Sequence, residues 1–526
     1  MHSMHVSVAS VASQTRKVQS VRNMLVTSSW IIDFVILIAT IWFIAYKYAT
    51  RKFNYWTERN VYHIKPIPFI GNFKDVALFK ITIGEWLKKM YDSTDEPYFG
   101  IFAYDEPHLV IKDPKLVKQI LVKDANSFTD RTVTAPEHNE LIANLLFLQK
   151  SPKWKVYRSK VSPAFTSGKL KLMFHTVNEI SKDLNRYLGK NLGDLEMKEV
   201  CAKFSTDAIA RCAFGINSHC FEDDNSTFRK CGKRVFDFSW RNGIIQTAYF
   251  FRPQWVAWFH LDFLEKEVSD YLVDAFSKTM KHREETNTKG NDFLDLLIEL
   301  KKNQDLREKY AFEGVKVIAQ AVQFFLAGFE TTSSAISYTL YELCKHPKYQ
   351  NTLREEIKAT VAKDGDITYE NLMGMKYLDM CIQETLRMYP VLPFLDRRCN
   401  TEYKIPDSDF VIEKGLPVYI PMFGLHFDEK YFPEPFEYKP ERFEKGTSVY
   451  NKDGLVFLPF GEGPRICIGE RFGLLATKLA LVRILSEFEV VRNMQTPDVV
   501  EFEPKSLVLQ SKIGLPMKVK KLTQTA

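Results

Sequence analysis

No Cys-x-x-Cys pair occurs in the chain, and its eight cysteines, at 201, 212, 220, 231, 344, 381, 399 and 467, form no zinc-like cluster. They read as reduced thiols of a cytosol-facing domain rather than as a disulfide framework. The interior also lacks a Pro/Gly/Ser linker, an internal repeat or a low-complexity run. The 526 residues therefore read as one large domain behind a short N-terminal appendage. The net charge of +7 and pI near 8.7 are too mild and too dispersed for a nucleic-acid partner. They leave room for basic patches facing an anionic membrane or an acidic protein. No dinucleotide fingerprint is present, because Gly461-x-Gly463-x-x ends on Ile466. No flavin-binding segment is recognisable either, so any reducing equivalents must come from another protein.

Residues 1–29 contain no Asp or Glu, while Arg16, Lys17 and Arg22 stand among serines. That composition is like a mitochondrial presequence. The run that follows, Trp30 to Tyr48, is the one long apolar stretch, with Asp33 its single acidic interruption and aromatic residues toward both ends. It is almost long enough to cross a bilayer core and reads as a membrane anchor. Met24 is an alternative start that would leave a short apolar N-terminus. Residues 49–72 form a basic and proline-containing hinge ending in "KPIPFIGN", Lys65 to Asn72, and a main domain runs from 73 to 526.

The stretch "FGEGPRICIG", Phe460 to Gly469, sets one cysteine in a glycine-punctuated loop just ahead of a predicted, largely apolar helix, Glu470 to Glu489. Unpaired N–H groups and the positive end of the helix dipole favour thiolate there, so Cys467 is expected to be an anionic sulfur ligand. Gly463 and Gly469 would let a flat, bulky group lie against the loop. Arg465 could meet an acidic edge of that group.

Phe460, Gly463, Arg465, Cys467 and Gly469 match Phe-x-x-Gly-x-Arg-x-Cys-x-Gly in full. This order resembles the haem-binding signature of the cytochrome P450 family, the haem-thiolate monooxygenases. The resemblance spans Lys65 to about Lys520 and is nearest to microsomal animal members, in the clan of insect and vertebrate detoxification enzymes. It implies a mainly α fold with a smaller β-rich lobe, haem b (iron protoporphyrin IX) as cofactor and Cys467 as axial ligand of the iron. Arg465 would pair with a haem propionate, and Phe460 would pack beside the sulfur. Electrons would come from NADPH through a separate NADPH-cytochrome P450 reductase, with cytochrome b5 a further partner. By the same resemblance the chain sits in the endoplasmic reticulum membrane with its catalytic domain facing the cytosol, the mitochondrion being the alternative.

Gly314 to His346 has long helical character, yet Gly328 and Thr331 to Ser334 interrupt good helix formers, a conflict that predicts a functional distortion. A threonine normally bonds the carbonyl four residues back, here Ala327, and a Thr331 that gave up that bond would open a small polar notch. Ala327 to Thr332 matches the family's oxygen-activation pattern, which implies hydrogen bonding by Thr331 and proton supply by Glu330. Gln323, Phe324, Ala327 and Gly328 share a face with Thr331 and are expected on the substrate side.

Glu384 and Arg387 are three apart on one helix face. With Arg442 in "KPERF" they resemble the family's buried Glu-Arg-Arg network, read as structural rather than as acid/base machinery. Trp154 and Arg158 in "WKVYR" resemble a pair that meets a haem propionate, and Arg397 aligns with another such contact. Lys150, Lys153, Lys155, Lys160, Lys169 and Lys171 make the same region basic. Solvated lysines are the ordinary reading, but beside the thiolate face they would steer an acidic reductase.

Ten Phe, Trp or Tyr residues lie between Phe236 and Phe263, where family members carry a lid dipping toward the membrane. Further lining is expected from 131–148, from Val391 to Phe394, and from Leu507 to Ile513, including Val508. Few polar groups occur at these positions, Gln323, Gln510 and Ser511 being the exceptions. The expected substrate is a lipophilic foreign compound arriving from membrane lipid. The alternatives are a dedicated steroid or fatty-acid hydroxylase, a haem-thiolate isomerase needing no reductase, and a haem sensor.

Overall fold

The apolar run from Trp30 folds as a helix to Thr50 in the computed structural model, which describes residues 30–303 and 309–522. Its 21 residues have a mean hydropathy of 1.8, and Ala49 is its only buried residue. At 1.5 Å per residue it is about 31 Å long, enough to cross a membrane. The 1–29 extension, with Met24, lies outside the described residues.

The chain divides into two compact units. The first holds the described residues up to Phe73 together with Ile101–Pro107. Within it Arg51 pairs with Asp105 at 2.9 Å, Lys52 pairs with Glu106 at 2.7 Å, and the buried Trp56 indole donates to the Ile101 carbonyl. Asn72 accepts from Phe102 N–H through Oδ1 and donates to the carbonyls of Ile64 and Lys65. Gly71 has φ +64° and sits where a Cβ would lie 2.4 Å from the Phe102 and Tyr104 carbonyl oxygens. Only glycine fits there. These contacts hold parts of the 49–72 segment to residues 101–107 within this unit.

The second unit is mainly helical. Its core pairs the 31-residue helix Val315–Lys345 with Met197–Phe214, a helix buried on nearly every side. Glu196 caps the latter by accepting from the Lys198 and Glu199 N–H groups, and Gly215 ends it in a left-handed conformation. Gly328 allows the closest approach of the pair, since a Cβ there would lie 2.8 Å from Ile209 Cδ1. The helix Glu470–Glu487 packs against Val315–Lys345 from another side.

Three small sheets accompany the helices among the described residues, and the two larger ones are as follows. In one, Glu106–Ile111 pairs in parallel with Pro417–Ile420, Leu109 opposite Val418, and Leu395–Arg398 pairs antiparallel with the same strand, Arg397 opposite Val418. In the other, Pro516–Lys521 lies between Gly193–Glu196 and Phe488–Val491, antiparallel to both. A single bridge joins Asp130 to Arg398, with Arg398 N–H donating to the Asp130 carbonyl at 2.7 Å. That bridge delivers the 131–148 loop to the candidate site.

Candidate active site

Cys467 lies three residues ahead of Glu470–Glu487, and its N–H donates to the Phe460 carbonyl at 2.9 Å, closing the loop on itself. It is the one exposed cysteine of eight. Protein nevertheless surrounds it closely enough that burial raises its thiol pKa above the usual range, a hydrogen bond from the Gly469 backbone pulling the other way. Sγ is thus accessible at a place closely enclosed by protein. Desolvation here opposes ionisation of the thiol, against the helix-end N–H groups expected to favour it.

The two glycines act differently from one another. Gly463 has φ +73°, and a Cβ there would lie 1.9 Å from the Leu121 carbonyl oxygen, so its close neighbour is backbone and not an open cradle. Gly469 has nothing within 4 Å of a built Cβ and faces open space.

Cationic groups gather around this loop. Arg465 donates through Nε to the Thr129 carbonyl at 2.7 Å and through Nη2 to the Gln149 carbonyl at 2.8 Å, and its guanidinium lies 3.7 Å from the Trp154 ring centroid. Its Nη1 is buried without a hydrogen-bond partner. Burial first, then Arg131 and Arg397, brings its pKa down to about 8. Arg397, fully buried, donates Nη1 to the Asp396 carbonyl and is held at about 9 by burial and by Arg131. Burial also lowers Arg158, which feels the Cys467 sulfur. Lys150 is brought to about 8 by burial, and its ammonium donates to the carbonyls of Arg131 and Val133.

Against these five cations stand two neighbouring carboxylates. Asp396 meets Arg131 at 3.3 Å and accepts from the Thr132 and Val133 N–H groups; Asp130 lies 3.6 Å from Arg465. A buried nest with surplus positive charge and an orphaned guanidinium nitrogen is costly unless an anion completes it. A group with two carboxylates fits that deficit, so the residues present suit haem. Arg131, Lys150 and Asp396 carry no motif spacing that marks them in the sequence. Lys150, read among solvated lysines, is part of the nest. Lys153 bonds Asn144 Oδ1 and Lys171 pairs with Glu370, while Lys155 stays on the surface.

On the helix Val315–Lys345, Gln323, Ala327, Thr331 and Ala335 remain accessible, four residues apart, amid buried neighbours. The helix runs unbroken through Gly328 and the Thr331–Ser334 cluster, and the polar notch expected at Thr331 is closed. Thr331 keeps its bond to the Ala327 carbonyl at 2.7 Å, and Ser333 and Ser334 each bond the Glu330 carbonyl at 2.9 Å. Hydroxyls that bond backwards fit inside a helix. Phe324 does not share the open face: it stacks on Phe165 with ring centroids 5.1 Å apart and on Phe293 at 3.8 Å. Gly328 is partly accessible beside Ala327, and its missing Cβ also makes room for Ile209. Glu330 is buried and paired at 2.7 Å with Lys198, a residue the motif does not flag.

Among the other expected lining residues, Val391 is partly accessible and its carbonyl accepts from Leu509 N–H, whereas Val508 is buried. Phe394 is wholly buried between Phe250 and Tyr419, in the core and not on a wall. Gln323 Oε1 accepts from Phe147 N–H at 3.3 Å, and Gln510 donates to Ser506. Behind the cysteine loop, Glu384 and Arg387 are fully buried and joined by two bonds, Nε to Oε2 at 2.8 Å and Nη2 to Oε1 at 2.9 Å. Arg442 Nε and Lys439 N–H also donate to Glu384 Oε1.

A mainly helical domain, an accessible cysteine before a buried helix and a cation nest short of anions are features of the oxidoreductases that hold haem on a cysteine. The chain belongs to the cytochrome P450 family, whose profile matches residues 63–517. It is 40% identical to cytochrome P450 6k1 of Blattella germanica over 95% of this chain and 99% of that one. It is 38% identical to cytochrome P450 6j1 of the same organism over 94% and 98%, and 36% identical to cytochrome P450 6a2 of Drosophila melanogaster over 93% and 99%. It is accordingly a haem-containing monooxygenase.

Proposed function

We propose that this enzyme inserts one oxygen atom from O2 into lipophilic foreign compounds, drawing electrons from NADPH through a separate reductase. The observation that carries this reading is the accessible Cys467 beside a buried nest with fewer anions than cations and an unpartnered Arg465 Nη1. Haem, when bound, supplies the activation of O2 and the transfer of one oxygen atom. Cys467 would hold the iron, and Arg465 Nη1, Arg397, Arg131, Arg158 and Lys150 would hold the two carboxylates.

Thr331 Oγ1 can turn from the Ala327 carbonyl toward a guest on the open face of its helix. Glu330, released from Lys198, would carry a proton from solvent toward that hydroxyl. Thr331→Ala is expected to leave haem binding intact but to lower the product formed per NADPH severalfold, the remainder appearing as peroxide. Unchanged coupling in Thr331→Ala would remove that residue from the role.

Of the polar groups expected on the wall, Gln323 accepts from Phe147 and Gln510 donates to Ser506, while the buried Ser511 hydroxyl has no hydrogen-bond partner. Ser511 apart, the expected lining is largely apolar, and such a surface discriminates weakly between compounds of similar size. Trp240, Trp258 and Phe259 are 63%, 68% and 67% exposed, and with the Trp30–Thr50 helix they fit a chain anchored in membrane lipid, which we place in the endoplasmic reticulum. Reconstitution with reductase and NADPH, followed by mass spectrometry on unrelated lipophiles beside a steroid panel, tests the reading. One added oxygen on several lipophiles is expected. Fast, tightly coupled turnover of one steroid alone would overturn the substrate class.

A further inference from the structure

His426 belongs to no motif and touches none of the site residues that would meet haem, yet it is wholly buried with both ring nitrogens engaged. Nδ1 lies 3.1 Å from the Arg387 carbonyl oxygen, and Nε2 lies 3.2 Å from the Leu458 nitrogen. A carbonyl can only accept and a backbone N–H can only donate, so the partners fix the tautomer: the hydrogen is on Nδ1 and Nε2 is bare. Arg387 returns the contact, its Nη1 donating to the His426 carbonyl at 2.9 Å. The ring is flanked by Phe457, stacked at 5.4 Å, and by Phe432. Burial and the Arg387 charge take its pKa down to about 3, consistent with a ring that stays neutral.

Leu458 opens the cysteine loop. Its carbonyl accepts from Gly461 N–H at 2.9 Å, and the Phe460 carbonyl two residues on accepts from Cys467 N–H. A continuous set of bonds thus runs from Glu384 through Arg387 and the imidazole to Leu458, and on to Cys467. We infer that His426 is a positioning residue for Cys467, relaying the fixed geometry of the Glu384–Arg387 pair to the loop through two directional hydrogen bonds of one neutral imidazole. The inference rests on the reading that Cys467 holds the haem iron. Neither an apolar ring nor a protonated one can do this, the first lacking both bonds and the second setting a donor against Leu458 N–H.

The test compares holoenzymes carrying His426→Phe, His426→Gln and His426→Asn. The readouts are the share of the reduced carbon-monoxide complex with the red-shifted Soret band of thiolate ligation, and the rate of haem loss to a scavenging globin. His426→Phe keeps the ring and its stacking but neither bond; it should lose most of the band and release haem faster, on the order of tenfold. His426→Gln can still offer an acceptor to Leu458 N–H and should retain more of both properties than His426→Asn, which reaches only toward Arg387. Wild-type band and haem loss in His426→Phe would overturn the proposal, leaving packing as the role. If His426→Phe does not fold, the amides decide: better retention by Gln supports the relay, and equal loss overturns it. Cys467→Ser, run alongside, separates the two readings, because a band that persists there removes Cys467 as the ligand whatever the His426 variants show.

Discussion

Cys467→Ser is expected to abolish the red-shifted Soret band of the reduced carbon-monoxide complex, and oxygen transfer with it. Serine nearly matches cysteine in shape, but its hydroxyl does not ionise at neutral pH and is a harder donor than sulfur. The protein has no substitute at hand. The other seven cysteines are buried, and burial pushes the thiols of Cys220 and Cys344 up to about 12 and those of Cys231 and Cys399 to about 11. Burial raises Cys467 as well, so a thiolate there would arise from coordination by the metal, which deprotonates a coordinating thiol outright. The apo-protein provides a second readout, since a maleimide should label Cys467 alone under native conditions and bound haem should protect it. Retention of the band in the serine variant, or native labelling spread over other cysteines, would show that a different residue holds the iron.

The cysteine loop was legible because its chemistry is written in ten consecutive residues, where spacing alone brings sulfur, arginine and helix end together. The accessible stripe of the long helix was legible from periodicity, but only in part. Gln323 and Phe324 are neighbours in sequence and both lie near the Thr331 face; the Phe293 ring, supplied by another helix, captures Phe324 and leaves Gln323 open. Phe394 was lost to the open space in the same way, enclosed by Phe250 and Tyr419. The cation nest was legible at Arg465, Arg158 and Arg397 and silent at Arg131, Lys150 and Asp396. Their roles come from contacts such as that of Arg465 with Thr129, 336 residues away in the chain. A side chain that acts across such a separation leaves no local pattern, and His426 and Lys198 are hidden for the same reason.

Glu384→Gln is expected to cost about 3–5 kcal/mol of unfolding free energy, a large share of the roughly 5–15 kcal/mol that holds an ordinary domain folded. The carboxylate is wholly buried and accepts from Arg387 Nε, Arg387 Nη2, Arg442 Nε and the Lys439 backbone N–H. The amide keeps the shape but not the charge, and it turns one acceptor into a donor facing guanidinium donors. Arg387 is then left as a buried cation whose other partners are the neutral carbonyls of His426 and Glu437. Arg442→Leu should cost less, because Arg442 lies at the margin of the network and donates through Nη2 to the Glu434 carbonyl at its exposed edge. Urea denaturation of the two variants beside the wild type measures the difference. A Glu384→Gln protein with the wild-type midpoint would mean that the pair contributes nothing net to stability. The effect should also reach the iron, since displacement of Arg387 moves the carbonyl that orients His426, and the thiolate band should weaken in Glu384→Gln even where the variant remains folded.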